Sequence, residues 1–201
     1  MNALGAVAEG RPVDPLDLER ARVFALLGRL LAGPPDAGLL TRLAALGGGG
    51  PLGEAFAALA EAARNTDAES ADREFFDLFI GLGRGELLPF ASYYLTGFLH
   101  ERPLADLRGD LARLGIERAP GVSEPEDHIA FLCETFAGLL AGAFPALPAE
   151  SGAFFARHIK PWAARFFADL EAGESARFYR AVGRLGRLAV EIESAAAELP
   201  A

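Results

Sequence analysis

The chain has 201 residues, 51% of them apolar, and a net charge of −9 from 19 basic and 28 acidic side chains. With Lys160 as its one lysine, it is excluded as a nucleic-acid binder, because phosphate recognition needs clustered Lys and Arg, and its apolar share excludes extended disorder. A lone cysteine, Cys133, excludes an internal disulfide and fits a reducing compartment.

Residues 1–13 carry no helical pattern and are expected to be disordered. Their first stretch, Met1 to Val7, lacks the basic and long apolar regions of a secretory signal. Asp14 and Pro15 read as a helix start, followed by Val23, Leu26, Leu27, Leu30 and Leu31 at helical spacing. Gly33-Pro34-Pro35 stops that helix. Leu39, Leu40 and Leu43 mark a short second helix, and Pro51 opens a third with Leu52, Phe56, Leu59 and Ala63. Thr66 and Glu69 fit a capping box ahead of Phe75, Phe76 and Phe79. Gly81-Leu82-Gly83-Arg84-Gly85 breaks the pattern and reads as a hinge. Ser92 to His100 is predicted helical. Pro103 opens a helix with Leu104, Leu107, Leu111 and Leu114 inward and Gly115 just past its end. Glu124 to Ala143, Ser151 to Leu170 and Ser175 to Glu198 complete the set, the last with Phe178, Val182, Leu185, Leu188 and Ile192 inward.

No alternating β-branched run and no fixed-period repeat appears. The chain is predicted all-α, a single globular helical domain over residues 1–201 with about eight to ten helices. Subdomains are expected at 14–80 and 90–198. No run approaches the roughly 20 apolar residues of a membrane span, which predicts a soluble, cytoplasmic protein without stable membrane insertion.

No metal site is expected. His100, His128 and His158 are far apart, and the residues three before them, Gly97, Pro125 and Phe155, are not the Glu of a di-iron motif. The glycine run lacks the Lys-Ser/Thr of a P-loop. Cys133 reads as a buried small hydrophobe, and Ser92 has no nucleophile motif around it. Phe155, His158, Trp162 and Phe166 step along one helical face, which reads first as core, with Pro161 predicted to kink that helix near Arg157.

Glu124-Pro125-Glu126-Asp127-His128 is less easily absorbed. Ser123 and Glu126 fit a capping box, and acids suit a helix N-terminus. Asp127 is only partly covered by that account, and His128 and Glu134 not at all. Carboxylates lining a groove that receives arginines are the functional reading, since bidentate Arg–carboxylate pairing is geometrically demanding. Adjacent Asp and His on a helix point about 100° apart, which disfavours a catalytic dyad.

These residues resemble the TorD/DmsD family of redox-enzyme maturation chaperones. The resemblance is carried by Glu124 to His128 with Glu134 beyond, by Pro89-Phe90-Ala91-Ser92-Tyr93-Tyr94, and by Phe155, His158, Pro161 and Trp162, in order over about residues 15–195. Phe90 departs from the Trp or Tyr of many members, so any hydrogen bond from that ring is missing. The resemblance implies a non-catalytic cytoplasmic chaperone without a cofactor. Its implied partners are the apo form of a molybdopterin oxidoreductase of the dimethyl-sulfoxide-reductase superfamily and that enzyme's twin-arginine signal peptide. Such a chaperone assists cofactor insertion and prevents premature export. By analogy Tyr93, Glu126, Asp127, His128 and Trp162 belong to the peptide-binding region, and Glu134 is added to it. Residues 92–104 look more like members linked to formate dehydrogenase. Weak GTP binding is implied by family analogy alone. A monomer and a domain-swapped dimer are both compatible with the glycine connector. The alternatives are a small helical enzyme or nucleotide-dependent factor using Asp127 and His128, and a structural all-α subunit.

Overall fold

The computed structural model describes residues 13–118 and 124–198. Ser123 and all but the last of the residues expected to be disordered at the N-terminus lie outside these. Among the described residues there are ten α-helices and two π-helical turns but no strand, and the β structure amounts to an isolated antiparallel bridge between Phe90 and His128. The all-α expectation holds. No described helix is long and apolar enough to cross a membrane.

The chain forms two compact units, each discontinuous in sequence. One takes the residues up to Arg29 together with Phe90–Trp162; the other takes Leu30–Pro89 together with the residues from Ala163 onward. Gly81–Gly85 lies inside the second unit.

The first unit holds most of α1 (Pro15–Leu31), then α5 (Ala91–Thr96), α6 (Arg102–Arg113), α7 (Ile129–Leu140), α8 (Pro148–Phe154) and the π-helical turn Phe155–Ile159. Helix α7 is its centre: ten of its twelve residues are buried, so it is covered on nearly every side. Phe136 sits between Phe24, whose ring stands edge-on at 4.8 Å, and Phe155 at 5.3 Å. Burial of each such ring contributes about 1.5–3 kcal/mol. Helix α1 approaches α7 closely at Gly28, where a Cβ would lie 2.8 Å from Glu134 Cγ. Gly115, at φ +66°, ends α6 as expected. Its N–H reaches Ala112 O and that of Ile116 reaches Leu111 O, the paired bonds of a Schellman motif.

The second unit contains α2 (Ala37–Leu43), α3 (Gly50–Arg64), α4 (Ala68–Phe75), the π-helical turn Phe76–Ile80, α9 (Ala163–Ala172) and α10 (Phe178–Ala196). Helices α9 and α10 pack at close range because α10 carries glycine at its crossing. A Cβ on Gly186 would stand 2.2 Å from the Phe167 ring, and one on Gly183 2.5 Å from Glu171 N. The first turn of α10 is capped from a distance. The buried Glu74 carboxylate accepts from the N–H groups of Arg177 (2.7 Å), Phe178 (3.0 Å) and Tyr179 (2.7 Å). These are orphan donors at the positive end of a 19-residue helix. After the π-helical turn the glycine segment folds the chain back, with Leu87 N–H bonded to Leu78 O.

Four sequence expectations are corrected. Helix α7 starts at Ile129 rather than Glu124, so Asp127 and His128 precede it. The cap of α4 is Asp67, bonded to Ser70 N–H at 2.7 Å, rather than Thr66. The segment 151–170 is not one helix. Its i→i+5 turn, closed by Lys160 N–H to Phe155 O, and Pro161, which has no N–H to donate, divide it into α8 and α9. Ile192 is 44% exposed, on the outer face of α10.

Candidate functional site

Within the first unit the three sequence segments converge. The bridge between Phe90 and His128 is formed by the Ala91 N–H donating to Asp127 O at 3.0 Å, and the rings of Phe90 and His128 stand edge-to-face at 5.0 Å. Beside it the Asp127 carboxylate, 1% exposed, accepts through Oδ2 from both the Ser92 N–H (2.9 Å) and the Ser92 hydroxyl (2.6 Å). Phe90, the residue preceding α5, offers no side-chain oxygen. Asp127 therefore caps α5 from 35 residues away in sequence.

His128 is itself the N-cap of α7: its Nδ1 accepts from the Ala130 N–H at 3.1 Å. That places the ring proton of the neutral form on Nε2. Burial pulls its pKa down to about 4, so it is neutral at pH 7. Asp127 is engaged by Ser92 and His128 by the backbone, so the two do not form an acid–base dyad.

Glu126 caps no helix. Its Oε2 takes Arg108 Nε (2.9 Å) and Nη2 (2.8 Å). Burial raises its carboxyl, but the Arg108 hydrogen bond, a backbone hydrogen bond and the charges of Arg108 and Arg118 together hold it below the ordinary range. Glu134 stands one side of α7 further on, against Gly28, half-buried, and burial raises its carboxyl despite Arg29. Trp162 is buried. Its indole N–H donates to His158 O at 2.8 Å, and its ring lies 5.3 Å from that of Tyr94, which in turn meets Tyr93 edge-on at 6.0 Å.

A cleft of about 120 Å³ opens among these segments. Ala91 and Asp127 come from the two bridged segments, Arg157 and His158 from the π-helical turn, and Leu95, Pro103, Asp106, Leu107 and Leu132 supply the rest. Of the six residues chosen from the sequence, Asp127 lines this cleft, and Tyr93, Glu126, His128, Glu134 and Trp162 do not.

Sequence reasoning missed Asp106, Asp110, Arg108 and Arg157. Asp110 is a hub: its Oδ2 meets His158 Nε2 (2.8 Å) and Arg157 (3.2 Å), and its Oδ1 lies 3.6 Å from Arg113 Nε. Burial alone would raise the Asp110 carboxyl; the His158 hydrogen bond and Arg157 outweigh it, and the net shift is downward. Burial also lowers the pKa of His158, so this ring is neutral at pH 7 and acts on Asp110 as an N–H donor. Arg113 continues the network with a two-pronged pair to Glu150 at 2.9 and 3.0 Å. Asp106 and Asp110 sit four apart on α6, a helical pair visible in the sequence beside the leucine stripe that drew attention first. Among the described residues no cluster of His, Cys, Asp and Glu is arranged to hold a metal.

Residues 49–168 match the family described as nitrate reductase delta subunit. A TorD chaperone protein from Vibrio cholerae is 30% identical over 122 residues, covering 56% of this chain and 55% of the relative. One from Aliivibrio fischeri is 29% identical over 119 residues, 54% and 55% respectively. The chain thus spans about half the length of the curated relatives it matches. A crystal structure from Archaeoglobus fulgidus, described as a redox enzyme maturation protein, aligns with TM-score 0.57 at 20% identity over 92% of this chain and 99% of that one. It is alike in fold. The family match covers more than half of the sequence, and this chain belongs to the nitrate reductase delta subunit family, that of the TorD-type chaperones.

Proposed function

We propose that this protein is a non-catalytic cytoplasmic chaperone of a molybdopterin oxidoreductase, and that the cleft at Asp127 receives the arginine pair of that enzyme's twin-arginine signal peptide. The observation that carries the reading is the meeting of three distant segments at one cleft with the carboxylates of Asp106 and Asp127 on its wall. Both Ser92 bonds fall on Asp127 Oδ2, and Oδ1 receives neither. A guanidinium entering the cleft has that oxygen to pair with, and Asp106, whose Oδ2 stands 3.6 Å from Arg102 Nε. Leu95, Pro103, Leu107 and Leu132 give apolar contact to the chain that follows. A net charge of −9 steers a basic peptide inward and makes its association salt-sensitive.

Calorimetric titration with a synthetic twin-arginine peptide tests the reading. Binding is expected, weakened at least tenfold when both arginines become alanine and weakened further by salt. Equal affinity for the two peptides overturns it. Co-purification then names the client, and a formate dehydrogenase is the expectation drawn from residues 92–104.

A further inference from the structure

Helix α10 carries arginines at 180, 184 and 187, spacings that place them on one ridge, and Arg177 is its N-cap. Two of them are occupied. Arg187 pairs with Glu171 and Glu191, each at 2.9 Å, and Arg177 donates to the carbonyls of Glu174 and Ala176 at 2.8 and 2.9 Å. Arg180 and Arg184 are exposed and, among the described residues, have neither a hydrogen bond nor an ion pair. Like charges four apart on a helix repel. In a chain with 28 acidic residues, two adjacent arginines without a carboxylate partner are a feature to be explained.

Both line an open groove of about 460 Å³ within the second unit, between α10 and the C-terminal half of α3. Ala58, Ala62 and Ala181 give it small apolar side chains. Asn65, exposed at the end of α3, has a side-chain amide that bonds to no described residue. Glu61 faces the groove as well, and Glu171 at its edge is held by Arg187.

We propose that this groove docks an extended acidic segment of a partner protein. Arg180 and Arg184 would take successive carboxylates, and the Asn65 amide a backbone group of the bound segment. From Arg180 to Arg184 the helix rises about 6 Å, the span of about two extended residues. Alternate carboxylates along an extended chain match arginines one helical turn apart. The small alanines leave room for a backbone to approach. The Glu61 carboxylate opposes a dense polyanion such as a nucleic acid or an oligophosphate, but tolerates a chain with acids at intervals. The groove belongs to the second unit and the proposal is independent of the cleft at Asp127.

The test is an amide-resolved NMR titration of the full chain with a synthetic acetylated peptide of six Glu-Ala repeats. A Gln-Ala peptide and inorganic tripolyphosphate serve as controls. Expected are shifts confined to residues 58–66 and 177–184, at least tenfold weaker binding in the Arg180→Ser/Arg184→Ser variant, and tighter binding in Glu61→Gln. The arginines are exposed and unpaired, so the double variant keeps its fold. Unchanged affinity in that variant, shifts elsewhere, equal binding of the Gln-Ala peptide, or tripolyphosphate binding more tightly than the acidic peptide overturns the proposal.

Discussion

Asp127→Asn separates the two tasks of this carboxylate. Ser92 sends both of its bonds to one oxygen, Oδ2, at 2.9 and 2.6 Å. A carboxamide oxygen in that place accepts both, so the cap on α5 survives with a neutral acceptor. Each bond then loses the charge-assisted part of its strength, about 1 kcal/mol, for a total of about 2 kcal/mol. For a chain of this size that lowers Tm by about 4–8 °C. Asp127→Ala leaves two buried donors without an acceptor and costs about 4 kcal/mol. The other atom changes more in function than in stability. In place of Oδ1 an NH₂ group faces an incoming guanidinium, donor against donor. Loss of that pairing is worth about 2 kcal/mol, or roughly 30-fold in Kd for a twin-arginine peptide. Ser92→Ala is the control. It removes the hydroxyl bond and lowers stability by about 1–2 kcal/mol, yet leaves Oδ1 in place and peptide affinity within threefold. Urea denaturation and calorimetric titration on the same samples decide. An Asp127→Asn protein that binds the peptide as tightly as the parent refutes the assignment, whatever its Tm.

His128 makes stability fall in acid. Its folded pKa of about 4 lies below the ordinary value of 6.5, so the unfolded chain binds the proton first. The stability is fully present above pH 6.5 and is lost as pH falls towards 4, by about 3 kcal/mol in total. His128→Asn keeps a capping side chain without the titration, and its denaturation midpoints at pH 7 and 4.5 should differ less than the parent's by most of that amount; equal differences sink the argument. Glu74→Gln keeps the bonds through one oxygen but turns the Phe178 N–H towards an NH₂ group, with an expected loss of about 2 kcal/mol by chemical denaturation. A change under about 0.5 kcal/mol would mean that the cap is not needed. Gly186→Ala drives a methyl into the Phe167 ring and is expected to cost about 2–3 kcal/mol, read as a lowered Tm; an unchanged Tm would show that α9 can move aside.

The helical skeleton was legible because its signals are local. Asp14-Pro15, Gly115 after Leu114 and the leucines of α6 each announce an element within one or two turns. Failures came where a distant group competed with a local one. Glu126 completes a capping box on paper, but Arg108, eighteen residues earlier, holds its carboxylate. His128 was singled out for chemistry and serves α7 as a cap, a role histidine seldom signals. The Asp127–Ser92 bond joins two motifs whose relation no spacing rule encodes. Glu74, likewise, lies about a hundred residues before the helix it caps. The π-helical turns insert one residue into otherwise regular patterns, which a 3.6-residue template averages over.

The discontinuity of the two units sets the order in which the nascent chain can bury itself. Ribosomes add about 5–20 residues per second. Between the emergence of Leu30 and that of Phe178, the apolar faces of α2, α3 and α4 await α9 and α10 for on the order of ten seconds. The first unit closes earlier, once Trp162 has emerged. A nascent chain stalled after Trp162 therefore presents one finished unit and one unfinished unit, and it is α10 whose arrival completes the second.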